Sequence, residues 1–269
     1  MKSYKGLISV VIPSYNEGSH IYKNIREIQR TFDEFGCKYE LIVVNDGSSD
    51  DTYEEALKAA KGYNNIVVKT HRKNYGKGRT LKMGCRFAKG DLILFLDADL
   101  DLHPGQVPVL FDMMKLRDVD VVIGSKRHPD SDVNYPWHRD IISMVYYFVI
   151  KMLFGLPVRD TQTGIKLFKK EVIKHIFPRL LVKRYAYDLE LLVMAHRFGY
   201  KIMEAPVTLH FQRDFGRITL KDMFRTWMDT MAVFYRIRIL RFYNKDRHNH
   251  LQNEKANVLH KTNVKIPFI

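Results

Sequence analysis

The sequence has few cysteines and no long apolar run. Two cysteines among 269 residues, Cys37 and Cys85, give neither a disulfide framework nor the paired spacing of a metal site. Both are expected to be small core residues of a protein in a reducing compartment. No apolar run reaches the roughly 18 residues that a membrane span needs. The nearest candidate, 141–154, is interrupted by Lys151 and predicts a buried or interfacial helix.

Acidic residues are outnumbered by basic ones. The 44 Lys and Arg against 30 Asp and Glu give a formal net charge of +14. That excess of positive charge is typical of a protein that binds nucleic acid or an anionic membrane surface, or of one whose lysines and arginines are simply solvated. With 46% hydrophobic residues, the chain can bury a large core as one domain, with or without an appendage.

The first half alternates strand and helix patterns. Strands are predicted at 7–12, 39–44, 66–69, 91–96 and 119–123, with helices at 19–35, 50–61, 77–88 and 105–115 between them. This order predicts an α/β fold with a wound, mainly parallel sheet and flanking helices. The second half predicts an apolar helix from 141, a strand at 165–168, a helix at 187–198, an edge strand at 201–204 and a long helix at 220–243.

Two carboxylates follow the fourth predicted strand. Asp97 and Asp99 lie one residue apart after the apolar run 92–96, and strand alternation is expected to point both the same way. Ligands bind at this carboxyl edge in open α/β sheets. Hard oxygen ligands suit Mg²⁺ or Mn²⁺ carrying a diphosphate. The spacing therefore predicts a metal-diphosphate site, although a D-x-D motif alone is common.

Polar or turn-forming residues also follow the first three strands. They are Pro13, Tyr15 and Glu17 after the first, Asp46 after the second and Lys77 after the third. Asp46 with Gly47 suits either a hydrogen bond to a base or ribose, or a plain turn before a helix. Together with Asp97 and Asp99, these residues predict a polar rim that binds a nucleotide diphosphate and a divalent metal.

These motifs resemble those of family 2 inverting glycosyltransferases with the GT-A fold. The matching segments are 11–17 (VIPSYNE), 44–48 (VNDGS), 76–78 (GKG) and 97–99 (DAD). Further on, 159–168 (RDTQTGIKLF) and 186–192 (AYDLELL) are similar to the polyprenyl-phosphate sugar synthases. The nearest group is the dolichyl-phosphate glucosyltransferases, with the dolichyl-phosphate mannose synthases close to it. The resemblance covers about residues 7–243.

The resemblance implies roles for the donor residues. Asp97 and Asp99 would bind the metal and the sugar-nucleotide phosphates, and Asp101 would be a third metal ligand or else a cap for the helix after Pro104. Glu17 and Asp46 would contact the nucleoside, with Pro13, Tyr15 and Lys77 completing the donor site.

Two departures from the family pattern are visible. Asn45 stands where the family commonly has an acidic residue. The N-terminal membrane anchor of the eukaryotic glucosyl group is not seen either, which favours a prokaryotic enzyme bound peripherally on the cytoplasmic face of the membrane.

The implied acceptor is an anionic polyprenyl phosphate, whose second phosphate pKa is about 6. Such an acceptor needs little general-base help; it needs cations that hold the phosphate in line with the anomeric carbon. By resemblance these are Arg127 and Arg139, with Ser143 one helical turn after Arg139. The arginines would also suit plain surface charges.

A hydroxyl acceptor would instead need a carboxylate base. The acidic candidates for this catalytic role are Asp160, Asp188 and Glu190. Asp188 and Glu190 lie two apart, so that on one helix they cannot both face the site, and the other is expected to cap or to be solvated.

The basic charge is concentrated near the C-terminus. Between Arg213 and Arg247, nine residues are Lys or Arg and four are Asp or Glu, interleaved with aromatic residues and Met. This pattern indicates an amphipathic helix on an anionic membrane, or an aromatic stripe packed on the sheet with solvated arginines. We expect a catalytic domain at 1–215, a membrane-surface segment at 216–243 and a flexible polar tail at 244–269.

The leading hypothesis is therefore a membrane-associated inverting glycosyltransferase that moves a hexose from UDP-glucose to dolichyl or undecaprenyl phosphate, with Mg²⁺ or Mn²⁺ as cofactor. The alternatives are a GDP-mannose donor, or a glycan or protein hydroxyl as acceptor. A different class would be a non-catalytic basic module for lipid or RNA. Nucleic acid is not expected as a partner, because no recognition motif accompanies the charge.

Overall fold

The computed structural model describes residues 1, 4–133, 137–182, 186–209 and 220–242. For residues 137–143 and 220–224 it describes the backbone alone. The strands are β1 (Leu7–Ser14), β2 (Lys38–Asn45), β3 (Ile66–Thr70), β4 (Leu92–Phe95), β5 (Val121–Ser125), β6 (Lys166–Lys169) and β7 (Ile202–Pro206). The helices are α1 (Gly18–Phe35), α2 (Thr52–Ala60), α3 (Lys77–Phe87), α4 (Val107–Leu116), α5 (Trp137–Phe154), α6 (Lys170–Ile176), α7 (Tyr187–Arg197) and α8 (Leu220–Phe234). Short 3₁₀ turns span Pro104–Gln106 and Phe177–Arg179, and a π-helical segment, Tyr235–Ile239, continues α8.

The strands form one sheet in the order β3-β2-β1-β4-β6-β5-β7. β1 pairs in parallel with β2 and β4, β2 with β3, and β5 with β7. β6 runs antiparallel between β4 and β5. The parallel strands therefore end at one common edge, here called the carboxyl edge. Because β6 begins at this edge, the loop 160–165 that precedes it lies there too.

Apolar residues on both faces of the sheet explain why it is buried on both sides. In β2, Ile42 and Val44 join one core, which includes residues of α3, α5, α6, α7 and α8. Leu41 and Val43 join the other, which includes residues of α1, α2 and α4. Side chains that alternate between two apolar cores are what a parallel sheet covered by helices requires.

The predicted wound, mainly parallel sheet is confirmed, and each predicted strand is present within a few residues. β7 lies at a sheet edge, as predicted. The sequence patterns did not predict α6 or the antiparallel direction of β6. Cys37 and Cys85 are free thiols, both partly buried.

The predicted domain boundary and the predicted tail fall on residues that are not described. The boundary predicted at 215/216 and the tail 244–269 lie outside the described residues. Among the helices that are described, none combines the length and the apolar character needed to cross a bilayer.

Candidate active site

Hydrogen bonds join the loops that follow β1 and β2 at the carboxyl edge. Asn16 has a left-handed φ of 55°, which asparagine tolerates better than most residues. Its backbone N–H donates to Ser48 Oγ at 2.9 Å, and its Oδ1 accepts from the Ser49 N–H at 3.0 Å. The Glu17 N–H donates to Thr52 Oγ1 at 2.7 Å. The loops that carry Glu17 and Asp46 therefore form one continuous rim.

The two other predicted donor residues of this region, Pro13 and Tyr15, lie on either side of the last residue of β1. Pro13 is the penultimate residue of β1 and pairs with Val44, which places it one step inside the sheet. Tyr15 follows the strand with its side chain exposed.

Asp46 is buried and fixes the loop before α3. Its Oδ1 accepts from the Tyr75 N–H at 2.9 Å and its Oδ2 from the Gly76 N–H at 2.8 Å. Gly47 has a φ of 67°, and a Cβ there would collide with the Lys73 backbone. These hydrogen bonds join the end of β2 to the start of α3, 29 and 30 residues further along the chain, rather than forming a local turn before α2. Both carboxylate oxygens already accept a backbone N–H.

Asn45, the departure from the family pattern, uses both ends of its amide. Nδ2 donates to Thr70 Oγ1 at 2.9 Å, and Oδ1 accepts from Ser48 Oγ at 2.5 Å. An aspartate could accept from Ser48 but has no N–H for Thr70. The asparagine therefore ties the ends of β2 and β3 together.

His71, which no sequence pattern singled out, lies at the end of β3. Its backbone N–H donates to the Asn45 carbonyl at 2.9 Å, and its ring stands 5.1 Å from that of Tyr75. Within the described part of the chain, its buried Nε2 has no hydrogen-bond partner. Burial lowers the pKa of His71, which favours the neutral ring.

Asp97 and Asp99 are brought together by a turn. β4 ends at Phe95, the Leu100 N–H donates to the Asp97 carbonyl at 3.4 Å, and Leu100 has a left-handed φ of 57°. The expectation that strand alternation would align the two carboxylates was therefore wrong. The Asp101 N–H donates to Asp99 Oδ1 at 3.3 Å. Asp101 does not cap the next turn, because His103 is the N-cap and accepts from the Gly105 N–H at 3.0 Å.

The charges around this turn are crowded. Burial, then the carboxylates of Asp97 and Asp101, raise the pKa of Asp99 to about 6. Lys77 Nζ lies 2.5 Å from Asp97 Oδ1, with the two side chains 36% and 33% exposed. Burial lowers the pKa of Lys77, whereas the carboxylates of Asp97 and then Asp188 raise it. The net effect is a raised pKa, so that the ammonium form is favoured. Two of the predicted donor residues, Lys77 and Asp97, are thus in direct contact.

The loop 160–165 closes over this group. A Cβ on Gly164 would collide with Asp97 Oδ2, so that only glycine lets the loop approach the carboxylate this closely. The buried Lys166 Nζ donates to the Thr163 carbonyl and to Asp188 Oδ1, the latter at 2.5 Å. Sequence reasoning missed Lys166, although a lysine inside the apolar strand segment IKLF was a signal.

Asp160 joins this loop to the loop after β5. Its Oδ2 accepts from the Lys126 N–H at 3.1 Å and its Oδ1 from the Gln162 N–H at 3.0 Å. The structure therefore places the backbone of Arg127, next in sequence to Lys126, beside the loop 160–165. Arg139 and Ser143 both lie in α5, but their side chains are not among those described.

Asp188 and Glu190 lie on α7 and have different partners, as their spacing requires. Glu190 is fully buried, and its Oε2 accepts from the Leu181 and Val182 N–H groups at 2.9 and 2.8 Å. Arg236 Nη2 lies 3.3 Å from its Oε1. Asp188 is buried against Lys166. The expectation that one of the two caps or is solvated was wrong.

Helix α8 packs beside α5 and both expose apolar residues. Tyr146 Oη and Thr230 Oγ1 are 3.1 Å apart, and the rings of Phe154 and Phe234 are 6.1 Å apart. The exposed apolar side chains of this region are together called the apolar face: Met144, Val145, Phe148 and Met152 from α5, and Trp227, Met228, Tyr235, Ile239, Leu240 and Phe242 from α8 and the residues after it.

Comparison with known proteins places this site in a family. The sequence profile of glycosyl transferase family 2 matches residues 9–177. The chain belongs to this family. It is therefore a glycosyltransferase, and the resemblance drawn from the motifs is confirmed, whereas the alternative of a non-catalytic basic module is wrong.

Relatives of known activity extend the match beyond the profile. A dolichyl-phosphate beta-glucosyltransferase of Trichomonas vaginalis is 34% identical over 242 residues, which cover 86% of this chain and 74% of the relative. One of Drosophila melanogaster is 30% identical over 252 residues, with 86% and 77% covered.

Solved structures agree on the fold. Mannosyl-3-phosphoglycerate synthase of Rubrobacter xylanophilus superposes with a TM-score of 0.67 at 19% identity, covering 90% of this chain and 76% of that one. Glucosyl-3-phosphoglycerate synthase of Mycobacterium tuberculosis, in complex with Mn²⁺, UDP and phosphoglyceric acid, gives 0.65 at 22% identity, covering 86% and 78%. The sheet of this family 2 chain is thus that of a GT-A fold.

Proposed function

We propose that this family 2 enzyme transfers glucose from UDP-glucose to the phosphate of a polyprenyl lipid such as dolichyl or undecaprenyl phosphate, with inversion at the anomeric carbon. The observation that carries the proposal is that a donor edge with Asp97, Asp99 and Lys77 and an exposed apolar face on α5 and α8 occur in one chain. Relatives that are dolichyl-phosphate beta-glucosyltransferases support the same acceptor.

The residues at the Asp97–Leu100 turn fit a divalent metal. Burial, and then the carboxylates of Asp97 and Asp101, raise the pKa of Asp99 to about 6. A dication bound by Asp97 and Asp99 would offset both the burial of this negative charge and the repulsion between the carboxylates. The described residues contain no cluster of three or more His, Cys, Asp or Glu ligands. Asp97 and Asp99, with Asp101 as a further candidate, would therefore share the ion with diphosphate oxygens and water, as Mg²⁺ commonly does. A bound Mg²⁺ or Mn²⁺ would neutralise charge on the leaving diphosphate.

The remaining donor contacts come from the rim. We assign Pro13, Tyr15 and Glu17 to the nucleoside side, since they lie where β1 ends. Asp46 contributes by fixing the loop that leads into Lys77, and any contact with the nucleoside would be shared with its two backbone hydrogen bonds.

The proposed reaction is a single displacement. An oxygen of the acceptor phosphate bonds to the anomeric carbon while the bond from that carbon to the UDP oxygen breaks, and UDP leaves with the bonding electrons. The acceptor oxygen is already ionised near neutral pH, so that no proton has to be removed. Arg127 and Arg139, with Ser143, are assigned to hold the acceptor phosphate in line.

This reaction assigns the three acidic candidates to positioning. Asp188 and Glu190 are buried and paired, which is unsuited to taking a proton from an incoming substrate. Asp160 holds the backbone of the loop that carries Arg127. A hydroxyl acceptor would need one of these groups released from its partners.

The apolar face provides a reason for the reaction to occur at a membrane. Large exposed apolar patches on soluble domains mark sites of interaction. Arg225, Arg238 and Arg241 are exposed beside the apolar residues, and Trp227 and Tyr235 are of the type enriched at membrane interfaces. We propose that this face rests on an anionic bilayer on the cytoplasmic side, where the lipid acceptor is.

The experiment is transfer of labelled sugar by the purified chain. UDP-[¹⁴C]glucose and GDP-[¹⁴C]mannose are each offered with dolichyl phosphate, undecaprenyl phosphate, 3-phosphoglycerate and a peptide with free hydroxyls. Label from UDP-glucose is expected in the organic phase only with a polyprenyl phosphate.

The controls separate the alternatives. If label from GDP-mannose appears on the lipid, the proposed donor would be wrong and the proposed acceptor would stand. Transfer to 3-phosphoglycerate or to the peptide, with none to either lipid, would overturn the proposed acceptor.

A further inference from the structure

Two lysine–carboxylate pairs of the same length lie at the carboxyl edge. Lys166 Nζ is 2.5 Å from Asp188 Oδ1, and the side chains are 1% and 6% exposed. Lys77 Nζ is also 2.5 Å from Asp97 Oδ1, but those side chains are 36% and 33% exposed. The first pair is sealed in the core. The second is open to solutes.

The open pair engages a carboxylate that the metal also needs. Asp97 Oδ2 faces Gly164 so closely that a Cβ there would overlap it, while Oδ1 faces Lys77. Lys77 is the ion-pair partner of that oxygen, and in the described part of the chain Asp97 has no other. A dication on the same carboxylate would lie close to the ammonium, and like charges at that separation repel strongly where water is partly excluded.

The Lys77 side chain can change its ion-pair partner. It is the first residue of α3, directly after Gly76, whose φ of 93° and hydrogen bond to Asp46 fix the start of the helix. Its anchor is thus rigid, while its ammonium is a compact charge on a flexible four-carbon stem. Lys166, by contrast, is held by the Thr163 carbonyl as well as by Asp188.

We infer that Lys77 is an exchangeable counter-ion of Asp97, which opposes divalent-metal binding in the free enzyme and turns to the diphosphate when the sugar nucleotide binds. The inference rests on the proposed metal-diphosphate site and adds its regulation: metal and nucleotide bind together rather than independently. By linkage, UDP must strengthen metal binding by the same factor as the metal strengthens UDP binding.

The test measures Mn²⁺ binding to the full chain by electron paramagnetic resonance of the free ion, with and without UDP and without any acceptor. The variants are Lys77→Met and Lys77→Gln, with Lys115→Met as a control that removes the same charge from an exposed position on α4. Both Lys77 variants are expected to bind Mn²⁺ alone about fivefold or more tightly than wild type, whereas UDP is expected to enhance their Mn²⁺ binding far less than it does in wild type.

The outcomes are distinguishable. Equal Mn²⁺ affinity without UDP in wild type, Lys77→Gln and Lys115→Met would overturn the counter-ion role, while UDP-dependent Mn²⁺ binding by wild type would leave the proposed metal site standing. If UDP strengthens Mn²⁺ binding by the Lys77 variants as much as it does in wild type, Lys77 does not turn to the diphosphate, and that part of the inference would be overturned. Absence of Mn²⁺ binding by wild type even with UDP would overturn the metal part of the proposed function and this inference with it.

Discussion

Lys166 Nζ lies 2.5 Å from Asp188 Oδ1, and the two side chains form an ion pair that is almost wholly buried. Lys166 opens β6 opposite Phe95, and Asp188 lies in the first turn of α7. The pair therefore joins the sheet beneath the Asp97 turn to the helix beside it. Because Lys166 also holds the Thr163 carbonyl, it fixes the loop that approaches Asp97.

Removing one partner of this pair is expected to be costly. Lys166→Met leaves the Asp188 carboxylate buried without its cation, which typically costs about 3–5 kcal/mol of unfolding free energy. The double variant Lys166→Met/Asp188→Leu, which buries no charge, is expected to recover a large part of that loss. Urea unfolding followed by circular dichroism measures both. A single variant as stable as wild type would show that the pair contributes nothing to the fold.

Gly164 offers a more local test of the same loop. Gly164→Ala places a methyl group against the Asp97 carboxylate, so that either Asp97 or the loop must shift. We expect sugar transfer to fall by about 10²-fold, the loss that an ångström-scale misplacement can cause. The thermal unfolding midpoint is the control. Wild-type transfer rates in this variant would contradict the close approach seen in the structure.

The metal proposal predicts a loss of activity that is separable from a loss of fold. EDTA is expected to abolish transfer, and Mg²⁺ or Mn²⁺ to restore it. Asp99→Asn is expected to abolish transfer as well. The raised pKa of Asp99, about 6, means that its ionised form is unfavourable in the folded protein at pH 7. Neutral Asn should therefore leave the urea midpoint unchanged or raise it. Full activity of Asp99→Asn would exclude the metal assignment.

Local patterns predicted the strands well because strands buried on both faces leave near-continuous apolar runs. They predicted the rim because the parallel strands of a sheet end at a common edge. They failed where the chain depends on distant partners. The fit of Gly164 against Asp97 and the Lys166–Asp188 pair each join segments that are distant in sequence. The turn at Leu100 is local, but it depends on a left-handed backbone that the strand pattern did not indicate.

The acidic candidates show the same limit. Their helical spacing correctly predicted that Asp188 and Glu190 face different ways. It could not predict that both are buried, because Lys166 and Arg236 come to them from β6 and from the segment that follows α8. A motif thus identifies residues of the site, while tertiary partners decide what each one can do.

The acceptor side gives a prediction about Arg139. Arg139→Ala is expected to raise the KM for polyprenyl phosphate about tenfold or more, since a charge-assisted hydrogen bond contributes about 1.5–3 kcal/mol. The affinity for UDP-glucose, measured by calorimetry, should change little. The opposite result, weak UDP-glucose binding with normal use of the lipid, would place Arg139 on the donor side.

The arginines after α8 differ in their suitability for a test of membrane binding. Arg236 is an obvious target in the sequence beside Arg238 and Arg241, but it is 21% exposed and lies against Glu190, so that reversing its charge would disturb the core. The charge reversal belongs at Arg238 and Arg241, which are exposed. Flotation with anionic liposomes is expected for wild type and is expected to weaken with salt, because the attraction is screened beyond about 10 Å at 0.1 M.

Arg238→Glu/Arg241→Glu is expected to reduce flotation and lipid-dependent transfer together, and so is Phe148→Asp/Met152→Asp on the apolar face. The matched control is Lys115→Glu/Arg117→Glu, which reverses two exposed charges at the end of α4. Because the acceptor chain costs roughly 0.8 kcal/mol for each methylene drawn out of the bilayer, the enzyme has to reach the lipid where it lies. Variants that no longer float but still glycosylate the lipid in vesicles at the wild-type rate would contradict the membrane role of this face.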